Sequence, residues 1–181
     1  MTRKSLTLYG RKVVGGVAEG EALVTHDTIS GWGGVNPMKG TIIETRHELH
    51  GQSFQGKVLV FPGAKGSSGW SGAFHLARLT GMAPKALVFN EMTTKIALGA
   101  VVMRVPAVTG FDRDPLSVIQ TGDWVRVDGD RGTVEVLKSA RPPGDEPADQ
   151  PGDQPGDELR TATAHDVDLV EHPAGLAPDK A

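Results

Sequence analysis

The sequence contains no cysteine and a single tyrosine, and aromatic residues make up 5% of its 181 positions. Without a thiol the chain forms no disulfide and offers no thiolate to a metal, so any iron–sulfur cluster it works with must be held by another polypeptide. A chain free of cysteine fits a reducing cytoplasm, the compartment expected here. No apolar run approaches the length of a membrane span. The basic start, Met1 to Thr7, lacks the apolar stretch of a signal peptide. Few aromatics also leave little for stacking on bases. Residues 1–138 hold 16 Lys and Arg against 12 Asp and Glu, too small a surplus to suggest nucleic acid but suited to a small anion. Residues 139–181 reverse the sign, with 3 against 10.

What is present centres on Val58-Leu-Val-Phe-Pro62-Gly-Ala-Lys-Gly-Ser67-Ser68-Gly-Trp-Ser71-Gly72. A short apolar strand ends in Pro-Gly, a small-residue loop follows, and a helix over Ala73–Leu79 is expected. Apolar residues at 70, 73, 74, 76, 77 and 79 give it a buried side, and Thr80, Gly81 and Pro84 end it. Such a turn leaves amide N–H groups free, and they join the helix dipole in favouring an anion. Ser67 and Ser68 either serve that site or merely cap the helix. His75, inside the helix, is expected to be packed rather than catalytic.

Elsewhere strands dominate. Arg11–Thr25 suggests two strands around Gly15-Gly16, most simply a hairpin. The glycine-rich loop from Ile29 to Gly40 carries Trp32, as a plain surface turn, a pocket wall or a partner contact. His47 and His50 would need a helix to converge on one metal ion. Gly51 beside them makes that unfavourable, so a solvated turn or an anion contact is expected instead. Lys85–Asn90 has the composition of a fully buried strand. Thr93–Gly99 suggests a short helical turn, and Ala100–Gly110 one or two strands interrupted by Pro106. Trp124–Val136 alternates around Asp128-Gly129, a strong hairpin signal. The length fits one domain able to bury its own core. An α/β or α+β fold with layered β/β/α architecture is expected over 1–138. Prolines at 143, 147, 151 and 155, amid acidic residues, predict a disordered acidic Pro/Gly-rich tail over 139–181.

Gly31-Trp-Gly-Gly-Val-Asn-Pro37, His47-Glu-Leu-His-Gly51, Gly56-Lys-Val-Leu-Val60, Lys65-Gly-Ser-Ser-Gly-Trp-Ser-Gly72, Ala83-Pro84 and Ala97-Leu-Gly-Ala100 follow in that order. In this series residues 10–137 resemble the small, swivelling domain of the aconitase X family. The resemblance implies a two-chain hydro-lyase, a heterodimer or larger. Its large subunit carries an iron or iron–sulfur centre and most of the cleft, and this chain alone is inactive. Ser67 matches the family's catalytic serine. Ser68, Gly66 and Lys65 are the expected substrate contacts, and no metal is expected on this chain. Known members dehydrate cis-3-hydroxy-L-proline, the preferred substrate here, or mevalonate 5-phosphate, the alternative. A non-catalytic binding or regulatory module is the reading from another class.

Two departures from the related pattern matter. The aconitase loop has an arginine directly after Gly-Ser-Ser, where this chain has Gly69, so carboxylate binding by that arginine does not carry over. Trp70 is bulky and is expected to bear on substrate choice. The chain also resembles phosphohistidine swivelling domains, but those need a loop histidine, and this loop holds serines.

Overall fold

In the computed structural model, which describes residues 5–66 and 69–137, the chain begins with β1 (Ser5–Tyr9), β2 (Arg11–Val14) and β3 (Val17–Val24). Three two-residue strands follow, β4 (Ile29–Ser30), β5 (Val35–Asn36) and β6 (Thr41–Ile42). Then come β7 (Val58–Phe61), β8 (Ala64–Lys65), helix α1 (Gly69–Leu79) and β9 (Ala86–Phe89). Helix α2 (Thr94–Met103), β10 (Ala107–Thr109), a 3-10 turn at Pro115–Ser117, β11 (Trp124–Asp128) and β12 (Thr133–Leu137) complete it.

The main sheet has the order β1-β12-β11-β3-β7-β9-β10-β2, with β3, β7, β9 and β10 mutually parallel. Its edge strands β1 and β2 are separated in sequence by Gly10 alone, so the sheet must roll until its edges meet there. Only glycine fits that corner, because a Cβ at Gly10 would lie 2.8 Å from the Thr109 carbonyl oxygen. The two central strands are apolar throughout and buried throughout, as parallel strands covered on both faces require.

Alternation sorts their side chains. Val58, Val60, Ala86 and Val88 pack with Val125, Val127, Val134 and Val136 of the antiparallel layer. Leu59, Phe61, Leu87 and Phe89 pack with α1, α2 and the segment from Ile29 to Phe54. The expected β/β/α layering is what the chain adopts.

Two local expectations fail. Arg11–Thr25 is no hairpin: β2 pairs with β10, and β3 lies between β11 and β7. The glycine pair turns a corner instead of reversing the chain, with Gly16 at φ 103°. The Asp130 carboxylate holds that corner, accepting from the Gly16 amide at 3.0 Å and pairing with Lys12 at 2.7 Å. Ala100–Met103 is the second half of α2 and not a strand, since Ile96, Ala100 and Met103 share its buried side. Arg104, in the left-handed region at φ 55°, ends it. The hairpin over 124–137 forms as expected. Among the described residues no helix is long and apolar enough to cross a membrane. The acidic tail and the domain boundary near 138 lie outside the described residues.

Candidate active site

The segment after β7 is pinned before it reaches the helix. β8 pairs parallel to β4, setting Ser30 opposite Lys65, and the Ile29 amide donates to the Gly63 carbonyl at 3.0 Å. Gly66 then takes φ 84°, a left-handed conformation natural to glycine. Both α1 and α2 start at the carboxyl ends of adjacent parallel strands, where open α/β sheets place their ligands. Ser67 and Ser68, which join Gly66 to Gly69, lie outside the described residues.

Around this loop, Ser30, Trp32, Gly33, Glu44, Lys65 and Gly66 line an open cleft of about 400 Å³. Lys65 does not stand free in it. Its Nζ is 2.6 Å from Glu44 Oε1, so the cation expected to meet substrate is already paired with a carboxylate. The other oxygen, Glu44 Oε2, is buried with no hydrogen-bond partner among the described residues. Across the loop, Lys95 in the first turn of α2 donates to the Gly66 carbonyl at 2.6 Å.

The tryptophans divide the work. Trp70 is fully buried, stacked on Phe74 at 4.2 Å between ring centroids, and its Nε1 donates to the Ile29 carbonyl at 3.2 Å. It packs in the core beneath the helix start and does not line the cleft, where the expectation had its bulk bear on substrate. Its ring also demands Gly99 on α2, where a Cβ would approach within 2.3 Å. Trp32 is 61% exposed, and a Cβ at Gly69 would fall 2.0 Å from its Cδ1. A side chain at position 69 would therefore have to displace this indole.

His47 is buried, its Nδ1 accepting the Leu49 amide at 3.1 Å, while the His50 Nδ1 lies 3.2 Å from the Glu44 carbonyl. Backbone contacts of this kind stabilise a turn. Among the described residues no three His, Cys, Asp or Glu side chains are grouped to hold a metal ion. His75 sits half-buried in α1. A second open cleft, away from this loop, is lined by His26, Glu48, Ser117 and Gln120 among others. The hydrogen bond from Thr25 is the main cause holding the Glu48 carboxyl below the usual range.

Sequence reasoning missed Glu44 and Lys95. For Lys95 a signal existed: a cation in the first turn of a helix opposes the dipole, and the first turn of α2 has no acidic residue. For Glu44 there was only a charge at the end of an apolar run.

A family model for the aconitase X swivel domain matches residues 7–136. The chain is 42% identical over 132 residues to the phosphomevalonate dehydratase small subunit of Thermococcus gammatolerans, covering 73% of this chain and 98% of that protein. It is 39% identical over 131 residues to the subunit of the same name from Methanocella arvoryzae, covering 72% and 99%. Among solved structures, the holo-form crystal structure of Thermococcus kodakaraensis aconitase X superposes with a TM-score of 0.70 at 42% identity, covering 74% of this chain and 99% of that one.

Proposed function

The chain belongs to the aconitase X swivel-domain family as the small subunit of a dehydratase of that type, and we propose that the enzyme dehydrates mevalonate 5-phosphate with Ser67 as its base. The carrying observation is the 42% identity to small subunits named for that reaction, over nearly their whole length. It moves the preference away from cis-3-hydroxy-L-proline.

Elimination of water breaks a C–H and a C–O bond, placing the proton on a base and releasing hydroxide. An iron centre on the large subunit would supply the Lewis acidity that a hydroxyl leaving group needs. This chain's share is the proton. A serine hydroxyl is far too weak a base unless its alkoxide is stabilised. Loop amides, the positive end of α1 and the ammonium groups of the neighbouring lysines supply that stabilisation. Ser68 and Gly66 contact the substrate in this reading. Lys65 is held on the cleft wall by its pair with Glu44, and its remaining N–H donors suit a phosphate or carboxylate oxygen of the substrate. The large subunit covers the other side and excludes water.

Co-purification with the large subunit and assay on mevalonate 5-phosphate tests this. Ser67→Ala is expected to assemble normally and lose roughly 10²–10⁴-fold in turnover, and the small chain by itself should be inactive. Unchanged turnover in Ser67→Ala removes the serine from the chemistry. Turnover of cis-3-hydroxy-L-proline but not of mevalonate 5-phosphate by the wild-type complex overturns the substrate.

A further inference from the structure

We propose that Lys95 is a positioning residue for the dehydration, holding the peptide unit that leads into Ser67. Its Nζ reaches 2.6 Å from the Gly66 carbonyl oxygen, from a residue 29 positions along the chain. A peptide unit is planar, so a cation that holds one carbonyl also fixes the amide on the other side of the same unit. That amide belongs to the next residue, and the next residue is Ser67. Gly66 needs such a restraint more than most positions. It stands at φ 84°, and glycine has the widest conformational freedom of any residue type.

Lys95 differs from Lys65 in one telling respect. Lys65 has a carboxylate 2.6 Å away, whereas Lys95 pairs with no carboxylate among the described residues. It also stands in the first turn of α2, where the helix dipole repels a cation and no acidic neighbour offsets it. A lysine kept at an unfavourable place, uncompensated and bonded to the loop carbonyl, is accounted for by the loop and not by the helix. No carboxylate among the described residues neutralises the Lys95 ammonium beside the loop, and a cation near a hydroxyl favours its alkoxide.

The catalytic half of this inference rests on the proposed dehydration, so the test has two readouts. The first is hydrogen–deuterium exchange in the peptide spanning residues 62–72, measured on the full chain in its complex. Lys95→Met should speed exchange there several-fold and leave the β11–β12 hairpin unchanged, while Lys95→Arg, which keeps a charged donor, should stay close to wild type. The second is steady-state kinetics on mevalonate 5-phosphate. Lys95→Met is expected to lower kcat about 10- to 100-fold with KM within threefold, as a misplaced base should, and Lys95→Arg to recover most of it. Unchanged exchange in Lys95→Met overturns the clamp. Faster exchange with unchanged kcat overturns its role in the reaction. A wild-type complex inactive on mevalonate 5-phosphate, together with faster exchange in Lys95→Met, sinks the substrate reading and leaves the clamp standing.

Discussion

The two faces of the central strands are built from different materials. Towards the antiparallel layer, β7 and β9 present Val58, Val60, Ala86 and Val88, which meet valines at 125, 127, 134 and 136. Towards the helices the same strands present Leu59, Phe61, Leu87 and Phe89, which meet Phe54, Trp70 and Phe74. Two facing halves of the rolled sheet pack at a near-constant separation, and short β-branched side chains fill it evenly. Helices and an irregular segment leave uneven gaps, which aromatic rings fill with larger area per residue. Phe61, Phe89, Trp70, Phe74 and Phe54 form one continuous chain of ring contacts between 4.2 and 6.2 Å. Every described residue of the candidate site lies on segments covering this second face. One face is scaffold, and the other holds the loops to it.

The sharpest way to break that contrast is to hollow each face in turn. Trp70→Ala removes the ring that α1, α2 and β4 share and should cost about 3–5 kcal/mol. Val88→Ala, on the valine face, deletes two methyl groups and should cost about 2 kcal/mol. Urea denaturation of both variants measures the pair. Equal losses would mean that the aromatic face is no more tightly built than the valine face. Trp70→Ala should also disturb the serine loop, because its Nε1 bond to the Ile29 carbonyl ties α1 to β4, and β4 pairs with β8.

The same contrast explains what the sequence made legible. β7 and β9 are continuous apolar runs, and the Asp-Gly turn announces β11 and β12, so the layers emerge from local pattern alone. The error at Gly15-Gly16 arose because a two-glycine turn looks alike whether the chain reverses or crosses to the far edge of a rolled sheet. Only the distant partners, β10 for one strand and β7 with β11 for the other, decide it. Ala100–Met103 misled for a related reason: two adjacent valines have strand propensity, and packing against α1 overrode it. The strand before the loop and the helix after it were readable. The loop's neighbours were not, since Glu44 and Lys95 reach it from 21 and 29 residues away. Trp70 was misjudged because bulk near a site resembles a wall until the helix phase turns it inward.

A smaller effect is expected where the two tryptophans meet the loop. Gly69→Ala places a Cβ against Trp32, but that indole is 61% exposed and has room to swing away. Stability should fall by less than about 1 kcal/mol, whereas the cleft wall moves and turnover by the two-chain enzyme should drop. Combining Gly69→Ala with Trp32→Ala separates the two effects. If the clash is the cause, the double variant regains the stability lost by Gly69→Ala alone, a non-additivity that a denaturation cycle measures. Simple additivity would mean that Gly69 is required for the start of α1 and not for Trp32.

The smallest effect belongs to the scaffold side, at the corner between β2 and β3. Asp130 is held below the usual carboxylate range first by its hydrogen bond with Lys12, then by the Gly16 amide. A depressed folded-state pKa contributes stability above the unfolded value, about 3.9 for aspartate, and that contribution is lost as pH falls through the lower folded value. Asp130→Asn should therefore be slightly less stable than wild type at pH 7, and the gap should close in strong acid, once the wild-type carboxyl is protonated as well. The site is exposed and the Lys12 pair is screened, so added salt should narrow the gap at pH 7. Denaturation curves for both proteins at pH 7 and in acid decide the matter. A gap that survives acid would assign the corner to the shape of the side chain and its bond to the Gly16 amide, with the charge irrelevant; one that closes makes this corner electrostatic, in contrast to the aromatic anchoring across the sheet.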